Sequence, residues 1–429
     1  MGKSAFFERA ALALLPLALG GCSDEASTTQ VEVARSALSR DPNPATDPAS
    51  LRSVVDGDIA FGLALGRRAD IASSDGNSFF SPHSIAVAFG MLYGGASGTS
   101  KTDLAKTFGI SLADDAFHAT RNSIGLNLES RAISGGQGSD GKGFRLTVEN
   151  SFWGEKSWSW ETPYLDVLAK NYGAGINLVD FKADFEGSRK TINAWTAEHT
   201  EERILDLLPE RSLSDDSRFV LVNAVFFNAA WKEEFAVTTM PFNGPAGVKT
   251  VPAVTHESKY RYLKTDEAEV VSVPYEGEKI ELVAILPKDL SAFEARLDAA
   301  ALRDLFANES PAPVILTMPK LTIEGATLSL KNELSALGLA SVFHEDAADF
   351  SKMTKSGALV IDNVYHQAKL KLDEKGTEAV AATAIVGSDL VSEEIGPTPI
   401  PMNVDHPYLI FIRDIPTGEI LFQGRIVQP

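Results

Sequence analysis

Apolar side chains recur at Ile59, Leu63 and Ala64 within residues 58–68, and residues 84–93 are almost all small or apolar. The first spacing predicts a helix and the second a buried one. Residues 192–208 (INAWTAEHTEERILDLL) read as an amphipathic helix with Trp195 and 204–208 turned inward. Strand patterns then follow at 219–227, 270–275, 280–286, 314–318, 359–372, 408–412 and 420–426, the last two joined as a hairpin across 414–418. Helices dominate early and strands late, which is an α+β arrangement rather than regular βαβ alternation. No internal repeat is evident.

One strand pattern runs into an unusual sequel. In 366–383 (HQAKLKLDEKGTEAVAAT), Ala368, Leu370 and Leu372 alternate as in a half-buried strand, and from Gly376 onward the residues become small. In an extended chain Thr377, Ala379, Ala381, Thr383 and Ile385 share one face, none charged and none large before Ile385, while Glu378 points the other way. Such a face suits a segment that must pass between existing strands. A short Ala-rich helix or a plain linker is the alternative, because Ala is the best helix former.

The 429 residues carry 39 Lys and Arg against 58 Asp and Glu, a formal charge of −19 that opposes binding to nucleic acid or anionic headgroups. No Gly/Ser-rich or Pro-rich linker interrupts 51–385, so 51–429 is expected to be one domain. Ahead of it, Lys3 and Arg9 precede an apolar run over 10–19 that is too short to span a bilayer, and residues 1–21 read as a secretory signal. Leu19, Gly20, Gly21 and Cys22 resemble a bacterial lipobox, with Cys22, the only cysteine, as the site of lipid attachment. Ser23 favours sorting to the outer membrane. The protein is therefore expected outside the cytoplasm on a lipid anchor, or secreted if the lipobox is not used. Polar residues 22–50 read as a flexible tether.

Catalytic chemistry finds little support. Gly95-Ala96-Ser97-Gly98-Thr99 misses the Gly-x-Ser-x-Gly elbow by one position, and the seven histidines include no i, i+4 pair of a zinc protease. His344, Glu345 and Asp346 are the densest potential ligand cluster and read as a solvated acidic turn. The glycines at 94, 95 and 98 lack the lysine of a phosphate cradle. Neither a metal nor a cofactor is expected.

The stretch from Glu374 through Gly376, Thr377, Ala379, Ala381, Ala382 and Thr383 resembles the hinge of the reactive-centre loop of serpins. Further blocks similar to that family occur in its order at 77–104, 192–208, 219–235, 273–288, 318–352 and 405–429. The resemblance implies a fold of helices packed on three β-sheets, with an exposed loop over about 374–404 that inserts into the main sheet. It also implies a monomeric inhibitor that acts as a suicide substrate, forming a covalent acyl complex with a target serine protease and open to cysteine proteases as well. By the same resemblance Lys320 and Glu374 flank the point of loop entry, with Trp231 beside it. Ser81, Ser84, Asn223 and His366 match the polar group that bonds across the opening strands; ordinary core packing or a helix cap is the plainer reading of each. Family spacing puts the bait bond between Leu390 and Val391, or one residue on between Val391 and Ser392. Leu390 suits chymotrypsin-like or subtilisin-like targets and Val391 elastase-like ones. A non-inhibitory serpin that binds or carries a ligand is the alternative.

Overall fold

Strand formation follows the apolar runs most closely where both faces are buried. In the computed structural model, which describes residues 31–68, 71–73, 75–133, 144–323, 325, 327–377 and 398–429, Phe219–Ala230 is a twelve-residue strand buried along nearly its whole length. It is the centre of a nine-stranded sheet, whose strands are labelled in chain order. They are β1 (Glu32–Ala34), β2 (Arg145–Glu155), β3 (Ile176–Val179), β4 (Phe219–Ala230), β5 (Leu321–Ile323), β6 (Leu328–Ser329), β7 (Val364–Ala368), β8 (Leu370–Leu372) and β9 (Gly376–Thr377). The path runs β1-β3-β2-β4-β9-β8-β5, with β7 also on β4 and β6 on β7.

On one side β4 is partnered from Phe219 to Asn228 by antiparallel β2, from Arg145↔Asn228 to Gly154↔Phe219. Its other edge is divided. Residues Leu221 to Val225 pair in parallel with β7, whereas Ala229 and Ala230 pair antiparallel with the two residues of β9. This divided edge is the seam on which the candidate site lies.

Helix α1 (Pro48–Gly66) starts at Asp47, whose carboxylate accepts from the amides of Ala49 and Ser50 at 2.9 and 2.8 Å. Helix α2 (Pro82–Gly95) is apolar almost all round and lies buried against β2, β4 and the strand Ile420–Ile426. Helices α3 (Asp114–Ile133), α4 (Thr162–Tyr172) and α5 (Phe181–His199) complete the surroundings of the site.

Three expectations need correction. The tether expected over 22–50 belongs to the folded body from Glu32 onward: β1 pairs with β3, the Asp41 amide donates to the Lys170 carbonyl at 2.8 Å, and Arg40 Nε donates to Asn122 Oδ1 at 2.7 Å. Glu32–Pro429 forms one compact unit. The described strands connect into two networks of nine, the second traversed by the eighteen-residue strand Gly247–Lys264, which pairs with neighbours along its whole length. The helix expected to continue to 208 stops at His199, where Glu201 and Glu202 take φ of 49° and 59°. Asn193 folds the rest back through two bonds to the Leu208 backbone, so Ile204, Leu207 and Leu208 are buried from a turn and Leu205 is exposed. Finally, the strand expected over 359–372 begins only at Val364; Leu359 and Ile361 are buried without a ladder.

Candidate functional site

At the seam, Asn223 of β4 stands opposite His366 of β7. His366 Nε2 lies 3.1 Å from the Ser81 amide nitrogen, and a backbone N–H can only donate, so Nε2 carries no proton. Nδ1–H therefore donates to Asn223 Oδ1, in close contact. The Asn223 amide donates to Ser84 Oγ at 2.6 Å and to Asn150 Oδ1, and Ser84 Oγ donates to Asn150 Oδ1 at 3.0 Å. Ser81 caps α2, its Oγ accepting from the Ser84 amide at 3.1 Å with Pro82 in the first turn. Ser81, Ser84, Asn223 and His366 are thus gathered into one fully buried network that ties β2, β4 and β7 to the start of α2. Asn150 is the member that sequence reasoning missed, because the strand that carries it, β2, has a mixed polar and apolar sequence and was not recognised.

Burial pushes the His366 imidazole down to about 3 from an ordinary 6.5, with the hydrogen bond to Asn223 acting the other way. The folded value lies below the unfolded one, so unfolded chains take up the proton first as the pH falls. Stability from this group is full above about pH 6.5 and is lost as the pH drops toward 3. Gln at this position can still accept from Ser81 and donate to Asn223 but does not titrate. Between pH 7.5 and 4.5 the wild-type protein should therefore lose about 2–3 kcal/mol more unfolding free energy than His366→Gln. Urea titrations at the two pH values test this, and equal losses would remove His366 as the acid-sensitive point of the seam.

Higher up the same edge the hinge is seated by backbone and aromatic contacts. Lys320 Nζ and Glu374 Oε2 are 2.5 Å apart, both half-buried. Burial pushes the Glu374 carboxyl up, but the Lys320 ammonium outweighs it and holds the group below its usual range. The carbonyls of Asp373, Glu374 and Lys375 each accept one bond of 2.9 Å, from Trp231 Nε1, the Phe235 amide and the Trp231 amide in turn. Trp231 stacks on Tyr275 at 4.5 Å and 12°, and the Tyr275 hydroxyl lies 2.6 Å from Thr377 Oγ1. Gly376 has φ 154°, and a Cβ there would meet the Ala229 carbonyl oxygen at 2.1 Å, so only glycine allows this approach to β4. Tyr275, the last residue of a strand pattern, is a second member missed from sequence. Cys22, Ala379, Ala381, Ala382, Thr383, Leu390, Val391 and Ser392 lie outside the described residues.

Among the described residues, Asp58, His83 and Glu419 form the one group with metal-ligand spacing, all buried with ligand atoms within 4.8 Å of one another. The Arg121 guanidinium already grips both oxygens of Asp58. Desolvation raises the carboxyls of Asp58 and Glu419 and lowers His83, so the histidine is uncharged near neutrality. The cluster expected from sequence at His344, Glu345 and Asp346 is an exposed turn.

Comparison with known proteins bears on most of the chain. Leukocyte elastase inhibitor A of Rattus norvegicus is 32% identical over 86% of this chain and 97% of its own length. Among solved structures, the thermophilic serpin tengpin in its native state superposes with a TM-score of 0.78 at 22% identity, covering 93% of this chain and all of tengpin. Thyroxine-binding globulin in complex with thyroxine gives 0.72 at 25% identity over 87% of this chain and 98% of the globulin. Residues 57–429 match the profile described as serpin (serine protease inhibitor), and on that extent of match, with a seam and hinge of this construction, the chain belongs to the serpin family.

Proposed function

We propose that this protein is a suicide-substrate inhibitor of serine-type endopeptidases rather than an enzyme, and that it traps its target by inserting the loop that begins at Glu374 into the seam of the nine-stranded sheet. The observation that carries the reading is β9. Gly376 and Thr377 already form the first rung of a strand lying between β4 and β8, antiparallel to both. Continuing the register Gly376↔Ala230 and Thr377↔Ala229 would bring Ala379 opposite Phe227, Ala381 opposite Val225 and Thr383 opposite Asn223. Small uncharged side chains would then enter on the face that buries Thr377. At Asn223 the incoming strand would have to take the place of His366, so the network described above would be the last lock on the seam.

The target's serine would attack the bond after Leu390 (or after Val391), and insertion would drag the acyl-enzyme out of catalytic register before water could release it. A displacement of about 1 Å costs a rate factor of about a hundred. Leu390 or Val391 at the cut supports chymotrypsin-, subtilisin- or elastase-like targets, and the absence of Lys and Arg over 376–412 speaks against trypsin-like ones. Attachment to the outer membrane through Cys22 and a monomeric state belong to the same proposal. Mixing the protein with chymotrypsin, subtilisin and elastase should yield a complex stable to denaturing electrophoresis, with a released peptide beginning at Val391 or Ser392. Clean loop cleavage by all three without any complex would overturn this target assignment and favour a ligand-binding role.

A further inference from the structure

A buried polar cluster that the inhibitor reading does not use joins α1, α2 and α3 to the hairpin between strands Tyr408–Asp414 and Ile420–Ile426. Asp58 of α1, His83 of α2, Arg121 of α3 and Glu419 of the hairpin are each at most 3% exposed. The Arg121 guanidinium holds both oxygens of Asp58, and His83 Nδ1 lies 3.0 Å from Glu419 Oε1. The other oxygen, Glu419 Oε2, has no donor, yet its carboxyl group lies within hydrogen-bonding reach of the Asp58 carboxyl. Two buried carboxylates in contact repel unless a donor stands between them. The surrounding charges supply none. Arg121 neutralises Asp58, and Arg131 neutralises Asp414, its Nε donating to Asp414 Oδ1 at 2.7 Å. Burial lowers His83 to about 4 and raises the Tyr172 hydroxyl that α4 turns toward Asp58 and Arg121, so both are uncharged near neutrality. A metal ion does not suit the place, because it would have to displace the Arg121 guanidinium from Asp58.

We propose that the missing donor is a proton: Glu419 is held as a neutral acid whose Oε2–H donates to Asp58, and this proton, taken from solvent as the chain folds, clasps the hairpin to α1. The pair then carries no net charge with Arg121, and every oxygen in it has a partner. Its pH dependence runs opposite to that of His366. Burial raises Glu419 from 4.5 to about 7 and Asp58 from 3.8 to about 8, against the pull of Arg121, so the folded pair keeps a proton that unfolded chains have lost. Stability from the clasp is full below the unfolded values and is lost as the pH rises through about 7 to 8. The clasp does not rest on the inhibitor reading.

Glu419→Gln is the matched variant, since its amide N–H replaces the acid proton toward Asp58 while its carbonyl oxygen still accepts from His83. In urea titrations of the full chain between about pH 5.5 and 7, the wild-type folded-to-unfolded ratio should fall about tenfold per pH unit relative to Glu419→Gln, the signature of one proton. The same difference should appear in a His83→Asn background, which keeps an N–H toward Glu419 but does not titrate. Equal pH dependence in wild type and Glu419→Gln would overturn the proposal. A difference that vanishes in the His83→Asn background would put the proton on the imidazole and overturn it too, and so would a zinc-induced rise in the wild-type thermal midpoint that Glu419→Gln abolishes. If Glu419→Gln does not fold, infrared spectra of Glu309→Gln protein, isotopically labelled at the glutamate carboxyl carbons, keep the test decisive, because Glu309 is the other glutamate that burial raises to about 7. A protonated glutamic acid band in the folded chain at about pH 6.5 that disappears on unfolding in urea is expected, and its absence would overturn the proposal.

Discussion

Thr377→Arg is expected to turn the protein from a trap into a substrate, cutting the yield of stable protease complex by more than tenfold while loop cleavage continues. Thr377 is 1% exposed, bonded to Tyr275 and paired with Ala229, so an arginine here must either bury an unpaired charge or leave the sheet. After cleavage, insertion competes with deacylation. Each 1.4 kcal/mol added to the insertion barrier shifts that competition about tenfold, and an unpaired buried charge costs several kcal/mol. Ala379→Arg, one inward-facing position deeper by the continued register, should do at least as much. Thr377→Ser keeps the hydroxyl and should trap normally. The ratio of complex to cleaved inhibitor on denaturing gels reads the outcome, and undiminished trapping by both arginine variants would remove insertion along this register from the mechanism.

Asn223→Ala should lower unfolding free energy by about 2–4 kcal/mol and speed the loss of inhibitory activity on mild heating. Asn223 bonds to His366 across the seam and to both Ser84 and Asn150 on the other side. Alanine leaves the buried His366 Nδ1–H without an acceptor, at about 1–3 kcal/mol, besides removing the other bonds. If the native state is held by a barrier rather than by equilibrium stability alone, the seam bonds contribute to that barrier and the inactivation rate should rise along with the fall in stability. Combining Asn223→Ala with His366→Ala should cost less than the sum of the two single changes, because both break the His366–Asn223 bond. Fully additive effects, or a loss below about 0.5 kcal/mol in the single variant, would show that the network does not lock the seam.

How far the chain could be read in advance depended on where each signal was stored. Strands buried on both faces announced themselves: 219–227 and 280–286 were expected where Phe219–Ala230 and Ile280–Pro287 occur. Gly247–Lys264 was missed because much of it is exposed and polar and it contains Pro252, which blurs the alternation. The overrun of the helix past His199 has a related cause. The 3.6-residue spacing continues to Leu208 in the sequence, but two left-handed residues and the Asn193 side chain turn the backbone back instead. The ordered segment from Glu32 looked like a tether because its partners, β3, Lys170 and Asn122, lie far along the chain.

The sequence by itself determined the α+β class, the family and the chemistry of the hinge, because small residues at period two and ordered family blocks are local properties of the chain. It also pointed to Ser81, Ser84, Asn223, His366, Trp231, Lys320 and Glu374, though only through resemblance. Only the tertiary structure decided that Asn150 and Tyr275 complete the two networks and that one edge of β4 is divided between β7 and β9. Ser81 and His366 are 285 residues apart and Tyr275 and Thr377 are 102 apart. Contacts over such separations are selected by packing and by the need to satisfy every buried polar group, and no spacing along the chain encodes them.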